Sequence, residues 1–309
     1  MAPSFFSTKI RGIATVVLQV AVGLWFVASA VGKLVGIDEF EIYIYSFGFL
    51  GLSVAMVLAR VLIAVELTLG VMLAAGVQPR RVALLLLMIT LAFSVFLCYA
   101  EWIGRTDDCH CMGVIASFSP AASLVKNAVL TVSLLLLLRL PLWRWRPCWW
   151  QWMAALLLLW ATPFVVSLPD CWMFDAREEP FDHELLHTLA QPGGPLEEAR
   201  LDEGRKAVAL VSLGCPYCQK AMQKLRAIER RNDLPDSLFV VVMPDDNAPA
   251  AAEGIPLLEG RRFVIGGRAF VRLTYGARPI ILLLDNGQPV ASFHYRNIDE
   301  HEISRFLKP

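Results

Sequence analysis

The sequence predicts an α-helical membrane bundle of five spans followed by a water-soluble α/β domain. Composition is the first reason: of 309 residues, 56% are hydrophobic and 18% charged, which is too apolar for two soluble domains. Charge placement is the second, since residues 1–169 hold 11 of the 28 Lys and Arg and 7 of the 28 Asp and Glu. The third is pattern, with long apolar runs before residue 169 and short β-rich runs alternating with amphipathic stretches after it. The formal net charge is zero and no run of Lys or Arg forms a nucleic-acid footprint, so nucleic acid is not expected as a partner. Proteins, lipid and apolar small molecules remain.

A hydrocarbon core about 30 Å thick takes about 20 helical residues to cross. Five runs are long enough: Ile13 to Val35, Leu52 to Gly76, Val82 to Ile103, Ala121 to Leu140 and Trp149 to Leu168. The first lacks a small-residue cleavage site and reads as an uncleaved signal anchor. Lys9 and Arg11 precede it, Arg80 and Arg81 follow the second run, and Arg139, Arg144 and Arg146 follow the fourth. The positive-inside rule puts these three places, and with them the N-terminus, in the cytoplasm. Residues 37–50, 105–120 and everything after Leu168 then lie outside, as expected of a multi-pass protein of a bacterial inner membrane with a periplasmic C-terminal domain. Trp143, Trp145, Trp149, Trp150 and Trp152 bunch at one boundary as an interfacial belt would. Arg60 and Glu66 lie within the second run, where each needs a partner, as functional lining or as a structural contact between helices. Lys33 and Lys126 are expected to snorkel outward.

This topology sorts the seven cysteines. Cys148 alone is cytoplasmic and expected to stay reduced, whereas the other six face an outer compartment that permits disulfides. Cys109 and Cys111 flank His110 in the outer loop. Two residues of extended chain reach about 7 Å, the edge of what a disulfide spans, so a Cys109–Cys111 bond needs a tight turn and belongs to the easily reduced kind. His110 either supplies a positive charge to a thiolate or is a solvated loop residue. Metal binding competes, but zinc wants four ligands and only His110 is near; no metal is expected. Cys98 and Cys171 are a candidate second pair, structural or shuttling, or two idle thiols.

Trp25 to Phe49 (WFVASAVGKLVGIDEFEIYIYSFGF), Glu66-Leu67-Thr68-Leu69-Gly70, FLCYAEWIGRTDDCHCMGV ending at Val114, and Lys126-Asn127 together resemble the methylamine-utilisation MauE family of DoxX-like four-helix membrane proteins. The resemblance covers about residues 10–140. Its diagnostic element, an acidic residue before Cys-x-Cys with Gly two positions after, stands here as Asp108, Cys109, Cys111 and Gly113, with Cys-His-Cys in place of the commoner Cys-Gly-Cys. That family is similar, in helix count and periplasmic cysteines, to the vitamin K epoxide reductase class of quinone-coupled thiol oxidoreductases. The resemblance implies thiol chemistry at Cys109 and Cys111, with a membrane quinone as the candidate electron acceptor and no covalently bound cofactor.

In the second half, Lys206 to Leu213 reads as a strand, followed by Gly214-Cys215-Pro216-Tyr217-Cys218 and a helical pattern through Arg231. Phe239 to Met243 reads as a second strand. Pro279 to Leu284 and Val290 to Tyr295 bracket the turn Asp285-Asn286-Gly287 as a hairpin, and Glu300 to Leu307 is a closing helix. A Cys-x-x-Cys beside a βαβ pattern is a redox signature, and residues 202–309 resemble the thioredoxin-like superfamily, with Cys-Pro-Tyr-Cys the tetrapeptide typical of glutaredoxins. The resemblance makes Pro279 the cis-proline beside the active site, preceded by Arg278. A thiolate at Cys215 would face the unsatisfied N–H groups and positive dipole end of the helix, Pro216 suits the first helical turn, and Cys218 follows on the same face. Cys215 is then the attacking nucleophile and Cys218 the resolving thiol, with Tyr217 between them.

His183-Glu184-Leu185-Leu186-His187 matches the zincin H-E-x-x-H literally, but it falls in a short segment between Pro180 and Pro192, and an amphipathic helix in a linker over residues 171–201 is the preferred reading. The expected organisation is a four-helix membrane domain at 10–142, a fifth span at 149–168, that linker, and a thioredoxin-like periplasmic domain at 202–309. The expected function is a membrane thiol–disulfide oxidoreductase that relays electrons between envelope protein thiols, through Cys215 and Cys218, and the Cys109/Cys111 centre, coupled to quinone for disulfide formation. Reverse flow that keeps envelope cysteines reduced, and a non-catalytic assembly factor for one envelope client, are the alternatives.

Overall fold

The computed structural model describes residues 5–105, 112–113, 116, 119–146, 148–173, 178–212, 214–232, 234, 239–244 and 262–308. They divide into two compact units, residues 1–43 with 56–168 and residues 44–55 with 169–309.

The first unit is helical. Helices α1 (Phe5–Val35), α3 (Leu52–Ala74), α4 (Pro79–Trp102), α5 (Pro120–Arg139) and α6 (Trp149–Val166) are joined by the short α2 (Ile37–Tyr45) and by loops. Among the described residues, five helices are long and apolar enough to cross a membrane: these five, with α1 counted from Gly12. All five apolar runs read from the sequence are therefore helices, with ends within three residues of the expected ones except at the start of α1, where the helix begins at Phe5 rather than Ile13. Ser119 caps α5 by accepting from the Ala122 N–H at 3.3 Å, and Pro120 opens it. Val22, Phe26, Leu73, Leu86, Leu134 and Leu137 form the buried seam of α1, α3, α4 and α5. Apolar side chains gain little from burial against lipid, so close backbone approach matters more. Gly23 and Gly70 supply it, since a Cβ at Gly23 would lie 2.8 Å from the Gly70 carbonyl oxygen, and one at Gly70 would lie 2.9 Å from that of Gly23.

The second unit holds α7 (Asp170–Met173), α8 (His183–Ala190), a 3-10 turn at Glu197–Ala199, β1 (Arg205–Leu210), α9 (Pro216–Asn232), β2 (Phe239–Pro244), β3 (Arg262–Ile265), α10 (Gly267–Thr274), β4 (Ile280–Asp285), β5 (Gln288–His294) and α11 (Glu300–Leu307). One mixed sheet has the order β3-β2-β1-β4-β5, with β1 parallel to β2, β2 parallel to β3, β1 antiparallel to β4, and β4 antiparallel to β5. Central strands β1 and β4 are near-continuous apolar runs because both their faces are covered. The β4–β5 turn places Asn286 and Gly287 at φ 48° and 80°, the backbone for which Asn-Gly is selected.

The segment expected as a linker is part of this unit. Leu186, Leu196, Ala199 and Leu201 are buried in one core with Val208, Leu210 and Leu282. Gln191 to Pro195, the Pro- and Gly-rich stretch of that segment, is a tight turn in which the Leu196 N–H donates to the Leu189 carbonyl at 3.0 Å. A Cβ at Gly194 would meet that same carbonyl oxygen at 2.3 Å. Pro and Gly marked a change of direction, and the apolar residues on either side of it found a core.

Candidate functional site

Strand β1 ends at Leu210, which pairs with Ile280 of β4. The chain leaving β1 and the chain entering β4 therefore meet at one end of the sheet, and each carries a predicted site residue. Cys215 and Cys218 follow β1, and Arg278 and Pro279 precede β4 across a cis peptide bond. Cys215 turns into α9 through its N–H, which donates to the Ser212 carbonyl at 3.0 Å, and its own carbonyl accepts the first helical bond from Gln219 at 3.2 Å. Pro216 is the first helical residue, where its missing N–H costs nothing.

The two thiols differ. Cys215 is half-buried, whereas Cys218 is buried, and neither is bonded in a disulfide. Burial pushes the Cys218 thiol up to about 12, the Ser212 N–H and the Arg278 guanidinium pull it down, and Cys215 raises it further. The Ser212 N–H reaches the Cys218 Sγ at 3.3 Å. The site thus offers one sulfur to a partner and keeps its neighbour protonated beneath it, the asymmetry that sequential attack and resolution need.

That asymmetry has a measurable pH dependence. At pH 8 a thiol titrating near 12 is ionised in about one molecule in ten thousand, and the thiolate is the reactive form. In a Cys215→Ser protein, whose remaining largest influence on Cys218 is burial, alkylation of Cys218 followed by peptide mass mapping should accelerate about tenfold per pH unit above pH 8; a plateau below pH 9 would refute this. Stability moves the same way. The folded state holds this proton more tightly than the unfolded one, so the reduced protein loses stability as pH rises from about 9 towards 12.

Tyr217 points outward, half exposed, with its ring centroid 5.4 Å from that of Tyr295. Behind Tyr295 lies an ionic group absent from the sequence reading. Lys224 of α9 is 1% exposed, donates to the Tyr295 carbonyl at 3.2 Å, faces the Tyr295 ring at 5.4 Å and pairs with Asp170 at 3.5 Å. Arg296 donates to the Tyr295 hydroxyl at 2.7 Å and lies 3.9 Å from Asp170. The signal available was a cation within the face of α9 that otherwise buries Ala221, Met222, Leu225 and Ile228, because a lysine is fully buried only when paired.

Cys109, His110 and Cys111 lie outside the described residues. The chain just past them is fixed within the helical unit: Met112 is buried, and a Cβ at Gly113, at φ 57°, would lie 2.0 Å from the Gly32 carbonyl carbon and 2.4 Å from the Lys33 nitrogen. Lys33 does not snorkel. It forms an ion pair with Glu66, with the rings of Phe40 and Phe93 at 5.6 and 5.5 Å, in a narrow cleft that Trp25, Ser29, Lys126 and Asn127 also line. Arg60 pairs instead with Glu41 of α2 and donates to the Ser167 carbonyl at 2.6 Å. Cys98 is exposed on α4, Cys148 is exposed before α6, and Cys171 falls in α7. His183 and His187 sit on the eight-residue α8, capped by Asp182 through the Leu185 N–H at 2.9 Å. No cluster of three metal-ligating side chains occurs among the described residues.

A multi-pass helical membrane region continuous with a mixed α/β region, the latter bearing a dithiol where a helix begins, is the class of protein these features define. Residues 11–140 match the family described as Methylamine utilisation protein MauE, which makes the membrane part MauE-like. No curated protein and no solved structure gives a match.

Proposed function

We propose that the protein is a membrane-tethered thiol–disulfide oxidoreductase of the bacterial inner membrane, with its sheet domain in the periplasm. The observation that carries the reading is the pair of unequal thiols at the start of α9, one half-buried and one buried, beside the cis Arg278–Pro279 bond. The order over 205–307, a strand, the Cys-Pro-Tyr-Cys helix, two strands, a helix, a hairpin and a closing helix, supports a thioredoxin-like domain. A client dithiol reduces the Cys215–Cys218 disulfide: a client thiolate attacks Cys215, Cys218 leaves as a thiolate and takes up a proton, and the second client thiolate attacks the client sulfur, which closes the client disulfide and releases Cys215. Cys109–Cys111 accepts the two electrons in a second exchange, and a membrane quinone takes them with two protons to become quinol. The MauE-like match over the region that contains Cys109 and Cys111 supports that second centre.

The test is a trapped exchange. In a Cys218→Ser protein, Cys215 should accumulate a mixed disulfide with Cys109 or Cys111, because the thiol that would release it is missing. Non-reducing digestion and mass spectrometry should recover the linked peptides, and reductant should separate them. Reporters at Asp107 and Gly193 should appear on the same side of the membrane. Reporters on opposite sides, or no linked peptide from a protein whose Cys215 still alkylates, would break the relay.

A further inference from the structure

At one end of the helical unit, two loops are stapled together. Gln19 of α1 donates through Nε2 to the carbonyls of Leu73 and Trp143 at 2.9 and 3.2 Å, and its Oε1 accepts from the Trp143 N–H at 3.1 Å. The Trp145 N–H donates to the Gly76 carbonyl at 2.9 Å, and Val77 bridges Trp145. A Cβ at Gly76 would fall 2.6 Å from the Trp143 ring, so the α3–α4 turn and the α5–α6 loop form a single floor. Over it opens a cavity of about 540 Å³ lined by Gln78, Pro79, Leu142 and three guanidinium groups, those of Arg80, Arg81 and Arg144.

Among the described residues no carboxylate lines this cavity. The sequence has no Asp or Glu between Glu66 and Glu101, nor between Asp108 and Asp170. Three like charges held together by bonded loops repel one another, and an anion relieves that repulsion. Arginine forks match phosphate oxygens two at a time. The flanking residues decide between anions, because Trp143 and Trp145, which bracket Arg144 on the stapled loop, are exposed, as side chains at a headgroup boundary are. We propose that this pocket is a binding site for the phosphate headgroup of an anionic phospholipid, a property independent of the thiol chemistry.

The full-length protein in non-ionic detergent, titrated with phosphatidylglycerol or with phosphatidylcholine of the same acyl chains and followed by native mass spectrometry, tests this. Phosphatidylglycerol should bind at least tenfold more tightly. The Arg80→Ala/Arg81→Ala/Arg144→Ala protein should lose about fivefold per guanidinium, on the order of a hundredfold in all. The corresponding triple Lys protein, which keeps the charge, should retain the preference, and Arg139→Ala, on the same face but outside the pocket, should change affinity less than twofold. Equal affinity for the two lipids, or an Arg139→Ala loss as large as that of Arg144→Ala, would overturn the site in favour of the diffuse charge of that face. Inorganic phosphate that displaces the lipid at equal concentration would overturn the lipid as ligand.

Discussion

Replacing Cys215 by serine abolishes dithiol oxidation by the full-length protein, whereas replacing Cys218 by serine abolishes turnover but leaves covalent adducts with client proteins. The difference follows from access. Cys215 is half-buried and Cys218 is 1% exposed, so a client sulfur meets Cys215 first, and without Cys218, one helical turn on, only the client's own second thiol remains to break the mixed disulfide. Acid quenching, alkylation of free thiols and non-reducing electrophoresis read both outcomes. Adducts of equal abundance in the two variants would mean that the roles are wrongly assigned. The same experiment separates an oxidoreductase from a holdase, because a holdase would keep its adduct in the wild-type protein.

Glu66→Ala destabilises the helical unit by about 3–5 kcal/mol, the usual cost of stranding one member of a buried pair. Lys33 and Glu66 are 5% and 12% exposed at their side chains, Phe40 and Phe93 close over the ammonium, and among the described residues that line the cleft Glu66 alone is of opposite sign. A Lys33→Met/Glu66→Leu double variant should recover most of the loss, since two apolar side chains of similar volume often replace a buried pair without penalty. Unfolding in mixed micelles against increasing denaturing detergent gives both values. An unchanged midpoint for Glu66→Ala would mean that the ammonium finds water, and that the pair does not hold α1 to α3.

The sequence made the spans legible because twenty consecutive apolar residues have few other uses, and it made the dithiol legible because Cys-Pro-Tyr-Cys after a β-rich run is a local pattern. Partnerships between distant residues were not legible. Helix α2 is nine residues long and carries Asp38, Glu39 and Glu41, too short and too acidic to stand out as an apolar run, and the partner of Arg60 lies on it. Lys33 stands near the end of an apolar run, where snorkelling is the usual outcome, and only the fold shows Glu66 within reach. Strand β3 has four residues, too few to display alternation. Helix α10 opens on glycine and carries Arg268 and Arg272, yet its buried Phe270, Leu273 and Thr274 have the i, i+3, i+4 spacing that could have revealed it. The Asp170–Lys224 pair spans 54 residues, beyond any local signal.

Each unit fixes its own end of the connector. Ser167 is held by two groups of Arg60, through its carbonyl at 2.6 Å and its hydroxyl at 3.4 Å, and Asp170 is held by Lys224. Leu168 and Pro169 alone lie between these anchored positions, and three Cα steps of 3.8 Å extend to about 11 Å at most. A client of the proposed exchange is therefore one that reaches a domain joined to a membrane helix by two residues. The place of encounter then becomes, as much as the chemistry, a filter on clients.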